Sequence, residues 1–139
     1  MILVLDASMA LAWMFERADA VQRDCADRAV LALTSVAGLV PPLWHVEVAN
    51  ALLVGERRRV ITPAQSQQFL SRLDQLPITV DSALPGSRRD AVMGIARQYG
   101  LSAYDACYLD LAVRTMATLA TFDNKLADAA RNAGVALFE

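Results

Sequence analysis

The residues Ile2-Leu3-Val4-Leu5 form an unbroken apolar run that stops at a carboxylate, Asp6. A run this short, with no polar alternation, fits a strand buried on both faces. Strands of that kind belong to parallel sheets, and parallel strands need long, usually helical, crossovers between them. The rest of the chain supplies that rhythm. Apolar periodicity predicts helices from about Ser8 to Phe15 and from about Asp19 to Thr34. Gly38-Leu39-Val40 reads as a very short strand ended by Pro41-Pro42, followed by a helix from Leu43 to Arg58. Thr62-Pro63 is a good N-cap and first-turn pair for a helix reaching about Gln75. Ile78-Thr79-Val80 reads as a strand, and Pro85 to Tyr99 as a helix ended by Gly100. Ala103–Met116 is predicted helical, Thr118–Thr121 a strand, Asn124–Ala133 a helix closed by Gly134, and Val135-Ala136-Leu137 a last short strand. The expectation is an α/β fold: a short, mostly parallel sheet flanked by helices, with right-handed crossovers. The chain has 139 residues and no linker or repeat, so residues 1–139 are expected to form one domain. A domain of this size buries about 70% of its unfolded surface, enough for a core without disulfide or structural metal.

Four acidic residues stand where a carboxylate is costly unless something cationic compensates it. Asp6 ends the first strand, and Asp123 follows the strand at Thr118–Thr121. In open α/β sheets ligands bind beyond the carboxyl ends of the strands, so these two acids share one edge on topology alone. Glu47 lies in a helix whose neighbours Val46, Val48, Ala49, Ala51, Leu52 and Leu53 are apolar. At 100° per residue, Leu43, Glu47, Asn50 and Val54 fall on nearly one line, which makes Asn50 the expected hydrogen-bond partner that orients Glu47. Asp105 follows Ser102-Ala103-Tyr104 at a helix start. Asp6, Asp105 and Asp123 each have an ordinary alternative as helix-capping residues, and capping is compatible with ligation. Four such acids suggest a site for a hard cation, Mg²⁺ or Mn²⁺.

Composition narrows the partners. The net charge is −2, so binding nucleic acid through charge alone is not expected. Two divalent ions would reverse that sign locally and turn a phosphate-repelling cleft into an attracting one. Lys125 is the one lysine; the other basic residues are arginines, clustered at Arg57-Arg58-Arg59 and Arg88-Arg89. Arginine suits phosphate contact, though each cluster also reads as a solvated helix end. Hydrophobic residues make up 55% of the chain and the mean hydropathy is +0.32, which suggests apolar surface covered by another chain. Met9, Leu11, Trp13, Met14 and Phe15 crowd one helix and Trp44, Leu52, Leu53 and Val54 another, either because both are central or because part of each meets a partner. Cys25 and Cys107 read as unpaired structural thiols of a cytoplasmic protein. The N-terminal apolar run is too short and lacks the basic leader of a signal peptide.

Other chemistries lack their residues. Neither GxGxxG nor GxxxxGK[ST] occurs. His45 is the one histidine, which argues against a zinc site and against a Ser-His-Asp hydrolase built on Ser8 or Ser102. Asp6-Ala7-Ser8 lacks the second Asp of an aspartyl-phosphate phosphatase.

Taken in order, strand-Asp6-Ala-Ser8, helical Glu47-x-x-Asn50, Leu101-Ser-Ala-Tyr-Asp105-Ala and Leu119-Ala-Thr121-Phe-Asp123-Asn resemble the PIN-domain ribonucleases. More narrowly, they are similar to the VapC toxins of bacterial toxin–antitoxin pairs, and the likeness spans the whole chain. The resemblance implies that Asp6, Glu47, Asp105 and Asp123 form the catalytic metal site, with Ser8, Asn50 and Thr121 as supporting residues. It implies Mg²⁺- or Mn²⁺-dependent endonucleolytic cleavage of RNA, leaving 5′-phosphate and 3′-hydroxyl ends. It also implies a homodimer and a small, VapB-like antitoxin whose arginine enters the acidic site. Two other readings stay open: a non-catalytic PIN-like RNA- or partner-binding protein, and a DNA-directed nuclease of related fold.

Overall fold

A computed structural model describes all 139 residues. Its element order is β1 (Ile2–Leu5), α1 (Ala7–Leu11), α2 (Ala20–Ala32), β2 (Ala37–Val40), α3 (Leu43–Arg57), α4 (Pro63–Leu73), β3 (Ile78–Val80), α5 (Pro85–Tyr99), α6 (Ala103–Thr115), β4 (Thr118–Ala120) and α7 (Asn124–Asn132). The four strands form one sheet in the order β3-β2-β1-β4, and every pairing is parallel. The first strand is central, as its uninterrupted apolar run requires. Leu3, Val4 and Leu5 are each 0% exposed, with helices on both sides of the sheet.

Local signals explain the helix starts. Asp19 accepts hydrogen bonds from the backbone amides of Val21 and Gln22 at the head of α2. Thr62 and Gln65 form a reciprocal capping box at α4, with Pro63 in its first turn. Gly100 ends α5 in the left-handed conformation at φ 66°, where a side chain would be strained.

Two expected elements are shorter than the apolar pattern suggests. Helix α1 stops at Leu11 rather than Phe15, and the chain tightens through Trp13 N–H to Ala10 O and Met14 N–H to Leu11 O. The aromatic residues there are drawn to separate neighbours. The Trp13 indole donates to Ala26 O of α2, and Phe15 packs on Gly55 of α3, whose missing side chain makes room for the ring. The last strand, expected at Val135–Leu137, is a single parallel bridge from Leu137 to Leu119. Leu119 N–H donates to Ala136 O and Phe138 N–H to Leu119 O, but a three-residue β4 gives the tail no more ladder to follow.

The apolar crowding of α1 and α3 is largely core. Met9, Trp44 and Leu52 are buried, whereas Val46 and Leu53 of α3 are 70% and 45% exposed. Cys25 and Cys107 are both free thiols. Arg88 does not sit on a solvated helix end. Its guanidinium grips Asp110 at 2.6 Å, Arg114 takes the same carboxylate at 3.0 Å, and Arg114 reaches Asp81 at 2.7 Å. No helix is long and apolar enough to cross a membrane.

The Asp110 side chain is 4% exposed, so its charge depends on those two arginines. Asp110→Ala leaves both guanidiniums without their carboxylate. Because the arginines keep some water, the expected loss lies at the lower end of the ~3–5 kcal/mol typical of a broken buried pair. Urea denaturation of the variant against the wild type measures it.

Candidate metal centre

Parallel register brings the first two acids together. Leu5 pairs with Ala120, so the next residues, Asp6 and Thr121, leave the two neighbouring strands side by side. Asp6 N–H still donates to Ala120 O, which fixes the first residue beyond β1 as firmly as the strand itself. The Asp6 carboxylate is not used as a cap for α1. Its Oδ2 accepts hydrogen bonds from the Ser8 and Thr121 hydroxyls, each at 2.7 Å. The same hydroxyl oxygens accept from backbone amides, Ser8 Oγ from Phe122 and Thr121 Oγ1 from Asp123. The turn after β4 is thus tied to the end of β1 through two hydroxyls and one carboxylate.

Asp123 caps α7, accepting the Leu126 amide on Oδ1 at 2.9 Å and leaving Oδ2 uncommitted. Ser102 caps α6 by accepting the Asp105 amide, but only this half of the expected capping box forms. The Asp105 carboxylate is therefore not spent on the Ser102 backbone. Glu47 projects from the middle of α3, where its Oε1 accepts the Tyr108 hydroxyl and its Oε2 is left without a donor. Asn50, the expected partner of Glu47, is exposed and bonds to nothing in this group. Helical periodicity places Asn50 one turn along the same line but does not say where the cleft ends. Tyr108 takes the role instead, from a helix 61 residues away in sequence.

Asp6, Ser8, Glu47, Asp105 and Asp123 line one cleft of about 330 Å³, together with Ala7, Leu11, Arg17 and Phe122. Four separate parts of the chain thus contribute carboxylates to one concave surface. Burial pushes the Asp6, Glu47 and Asp105 carboxyls above the ordinary range, and their mutual repulsion adds to it. For Asp6 the two hydroxyl bonds work against this rise. Burial and the Glu47 charge push the Tyr108 phenol upward, so it stays protonated and donates. His45 is exposed beside Trp44 and lines no part of this cleft.

None of the ion pairs in the protein includes any of the four acids. That contrasts with Asp110, a carboxylate buried like Asp6 but given two arginines. The donor set is all hard oxygen, which fits a divalent cation such as Mg²⁺ rather than a soft metal. The cage is open: no three His, Cys, Asp or Glu side chains converge closely enough to form a ready-made ligand cluster. Uncompensated like charges have reason to stand apart.

A family model of the PIN domain matches residues 3–132. The chain belongs to the PIN-domain family. PIN domains are nucleases as a family, generally dependent on a divalent metal. The backbone of this PIN domain superposes on three solved structures. PAE2754 from Pyrobaculum aerophilum is 24% identical, with a TM-score of 0.66 over 93% of this chain and 87% of that one. VapBC2 from Rickettsia felis, bound to a DNA fragment from its promoter, is 16% identical, with a TM-score of 0.68 over 99% and 97%. FitAcB from Neisseria gonorrhoeae is 17% identical, with a TM-score of 0.64 over 100% and 97%. At these identities the likeness is one of fold. Among proteins of curated function, none is significantly similar in sequence.

Two measurements test the electrostatics of this PIN domain. A carboxyl whose folded pKa is raised costs stability when ionised, and that cost vanishes below its unfolded value, 3.8 for Asp6. In EDTA at neutral pH, Asp6→Asn is therefore expected to raise the melting temperature by a few degrees, because an Asn oxygen can still accept both hydroxyls. The advantage should shrink as pH falls toward 3.8. Thermal scans across pH decide this. In the wild type, millimolar Mg²⁺ or Mn²⁺ should raise the melting temperature, since a ligand at 100 times its Kd adds about 2.7 kcal/mol.

Proposed function

We propose that this chain is a Mg²⁺- or Mn²⁺-dependent endoribonuclease and the toxin of a toxin–antitoxin pair. The observation that carries the nuclease reading is the cleft itself: four carboxylates from four chain segments, none given a cationic side-chain partner. The nucleic-acid class and the biological role rest on the resemblance of the four motifs to VapC toxins. The likeness in fold to VapBC2 and FitAcB is consistent with both.

Asp6, Glu47, Asp105 and Asp123 are the residues that would hold the metal. A bound divalent ion offsets the charge of the phosphodiester and makes water a better nucleophile at neutral pH. The chain's own residues do the rest. Ser8 and Thr121 keep the Asp6 carboxylate fixed, and Tyr108 does the same for Glu47. No histidine lines the cleft, so the proton of the attacking water passes to a carboxylate. Asp105 is a candidate on geometry: it is half-buried, lines the cleft and has no backbone donor on its carboxylate. The expected products carry 5′-phosphate and 3′-hydroxyl ends.

The partner reading draws on surface as well as resemblance. Val46 and Leu53 lie seven residues apart on α3, exposed on the helix that carries Glu47. An amphipathic antitoxin segment would lie against such a face, and its arginine could reach the acids. We assign the chain as a homodimer on the same resemblance.

Asp6→Asn, Glu47→Gln and Asp105→Asn should each lower RNA cleavage by more than ~100-fold, a larger effect than the 10–100-fold typical of residues that only support ligands. Tyr108→Phe should fall within that range, and Asn50→Ala should lose less than Tyr108→Phe. The assay compares RNA with single- and double-stranded DNA, with and without EDTA. Cleavage of DNA alone would assign a DNA nuclease, and no cleavage of either would leave a binding protein. Growth arrest on expression, relieved by the product of an adjacent gene, tests the toxin role; light scattering tests the dimer.

A further inference from the structure

Arg17 lines the same cleft as the four acids and is the one basic residue that does so. A guanidinium beside four carboxylates would ordinarily pair with one of them. Arg17 pairs with none. It is held back by three contacts. Its guanidinium lies over the Phe122 ring, 4.8 Å from the centroid, and its Nε donates to Gln22 Oε1 at 2.9 Å. Arg23 Nη1 donates to the carbonyl of Arg17 at 2.8 Å and to that of Ala18 at 2.7 Å, which pins the backbone. Stacking and a bond at Nε restrain the plane of the guanidinium, while its terminal Nη1 and Nη2 groups donate to no protein acceptor.

The platform under Arg17 is part of the acidic site. The Phe122 amide donates to Ser8 Oγ, and Ser8 donates to Asp6. The segment carrying Arg17 is also fixed at Phe15, which seats on Gly55 of the Glu47 helix. Several arginines are occupied by carboxylates, Arg88 and Arg114 by Asp110, Arg28 by Asp24 and Arg131 by Asp128, and the other unpaired ones line no part of this cleft. Arg17 is placed at the mouth of the cleft with free donors and no acid to consume them.

We infer that Arg17 is a substrate-binding residue whose terminal N–H groups hold a phosphodiester of the nucleic-acid strand over the four-acid cleft. Phe122 is its positioning residue. The inference rests on the nuclease reading above and adds to it the protein group that meets the strand's charge. A planar donor fork matches the oxygens of a phosphate, and the chain's net charge of −2 offers the strand no general attraction.

The test uses full-length wild type, Arg17→Ala, Arg17→Lys and Phe122→Leu, with a labelled single-stranded RNA of mixed sequence. Cleavage gives KM and kcat, and anisotropy gives Kd against salt in an Asp105→Asn background. Arg17→Ala is expected to raise KM and Kd about tenfold or more. It should also flatten the log K against log salt slope by about 0.7, the value for one phosphate contact on a single strand. Arg17→Lys should restore the slope and part of the affinity, because it keeps charge without the fork. Phe122→Leu should raise KM with the slope retained. The metal-induced rise in melting temperature should be the same in all four proteins. An Arg17→Ala protein with wild-type KM and salt slope would overturn the inference while leaving the nuclease reading intact. Loss of the metal-induced shift in Arg17→Ala would also overturn it, by making Arg17 a support of the acids. A wild type that neither binds nor cleaves the RNA would refute the nuclease reading and this inference with it.

Discussion

A carboxylate that is 6% exposed at the end of a buried strand has to be held by donors, and Asp6 is held by two hydroxyls. One comes from the helix that follows it and the other from the first residue beyond the neighbouring strand. Neither hydroxyl carries charge, so Asp6 is fixed in place without being neutralised. The remainder of the site is hung from this link. The same two oxygens take the amides of Phe122 and Asp123, which sets the turn after β4, the cap of α7 and the ring on which Arg17 rests. Parallel register makes this possible, because it leaves Asp6 and Thr121 level where the two strands end.

Helix α6 separates two opposite treatments of charge. At its start Asp105 lines a cleft in which carboxylates repel one another, and the buried Tyr108 holds Glu47 from beneath. One turn further on, Asp110 is enclosed by arginines from α5 and from α6 itself. The second cluster is self-sufficient and serves the packing of α5 against α6. The first is electrostatically incomplete, and its incompleteness is what a cation would relieve. The fold can neutralise a buried acid with its own side chains and does so where no chemistry is wanted.

The sequence showed the sheet through its apolar runs and the acids through their positions at strand ends and on an apolar helix. Those signals are local, because burial on both faces and the cost of a lone carboxylate are properties of short segments. The partner of Glu47 was not legible. Periodicity placed Asn50 on the right line of α3, but only the tertiary fold brings Tyr108 of α6 to the carboxylate instead. Arg17 was equally hidden, since its meaning comes from Phe122 across the cleft and from Gln22 five residues on. The early end of α1 had the same origin. Trp13 and Phe15 continued a helical pattern while different tertiary neighbours claimed each of them. The reduction of Val135–Leu137 to one bridge reflects the length of its partner strand rather than anything in the tail itself.

The two margins of the sheet differ. Beyond β4, the residues from Ala136 to Phe138 lie along the strand and use its amide and carbonyl. At the other margin β3 is itself only three residues long, with two exposed positions. A covered margin and a truncated one leave little template for strand addition. A protein that recognises this fold must therefore read side chains on helices, and its selectivity will follow the residues on those faces rather than the backbone common to all sheets.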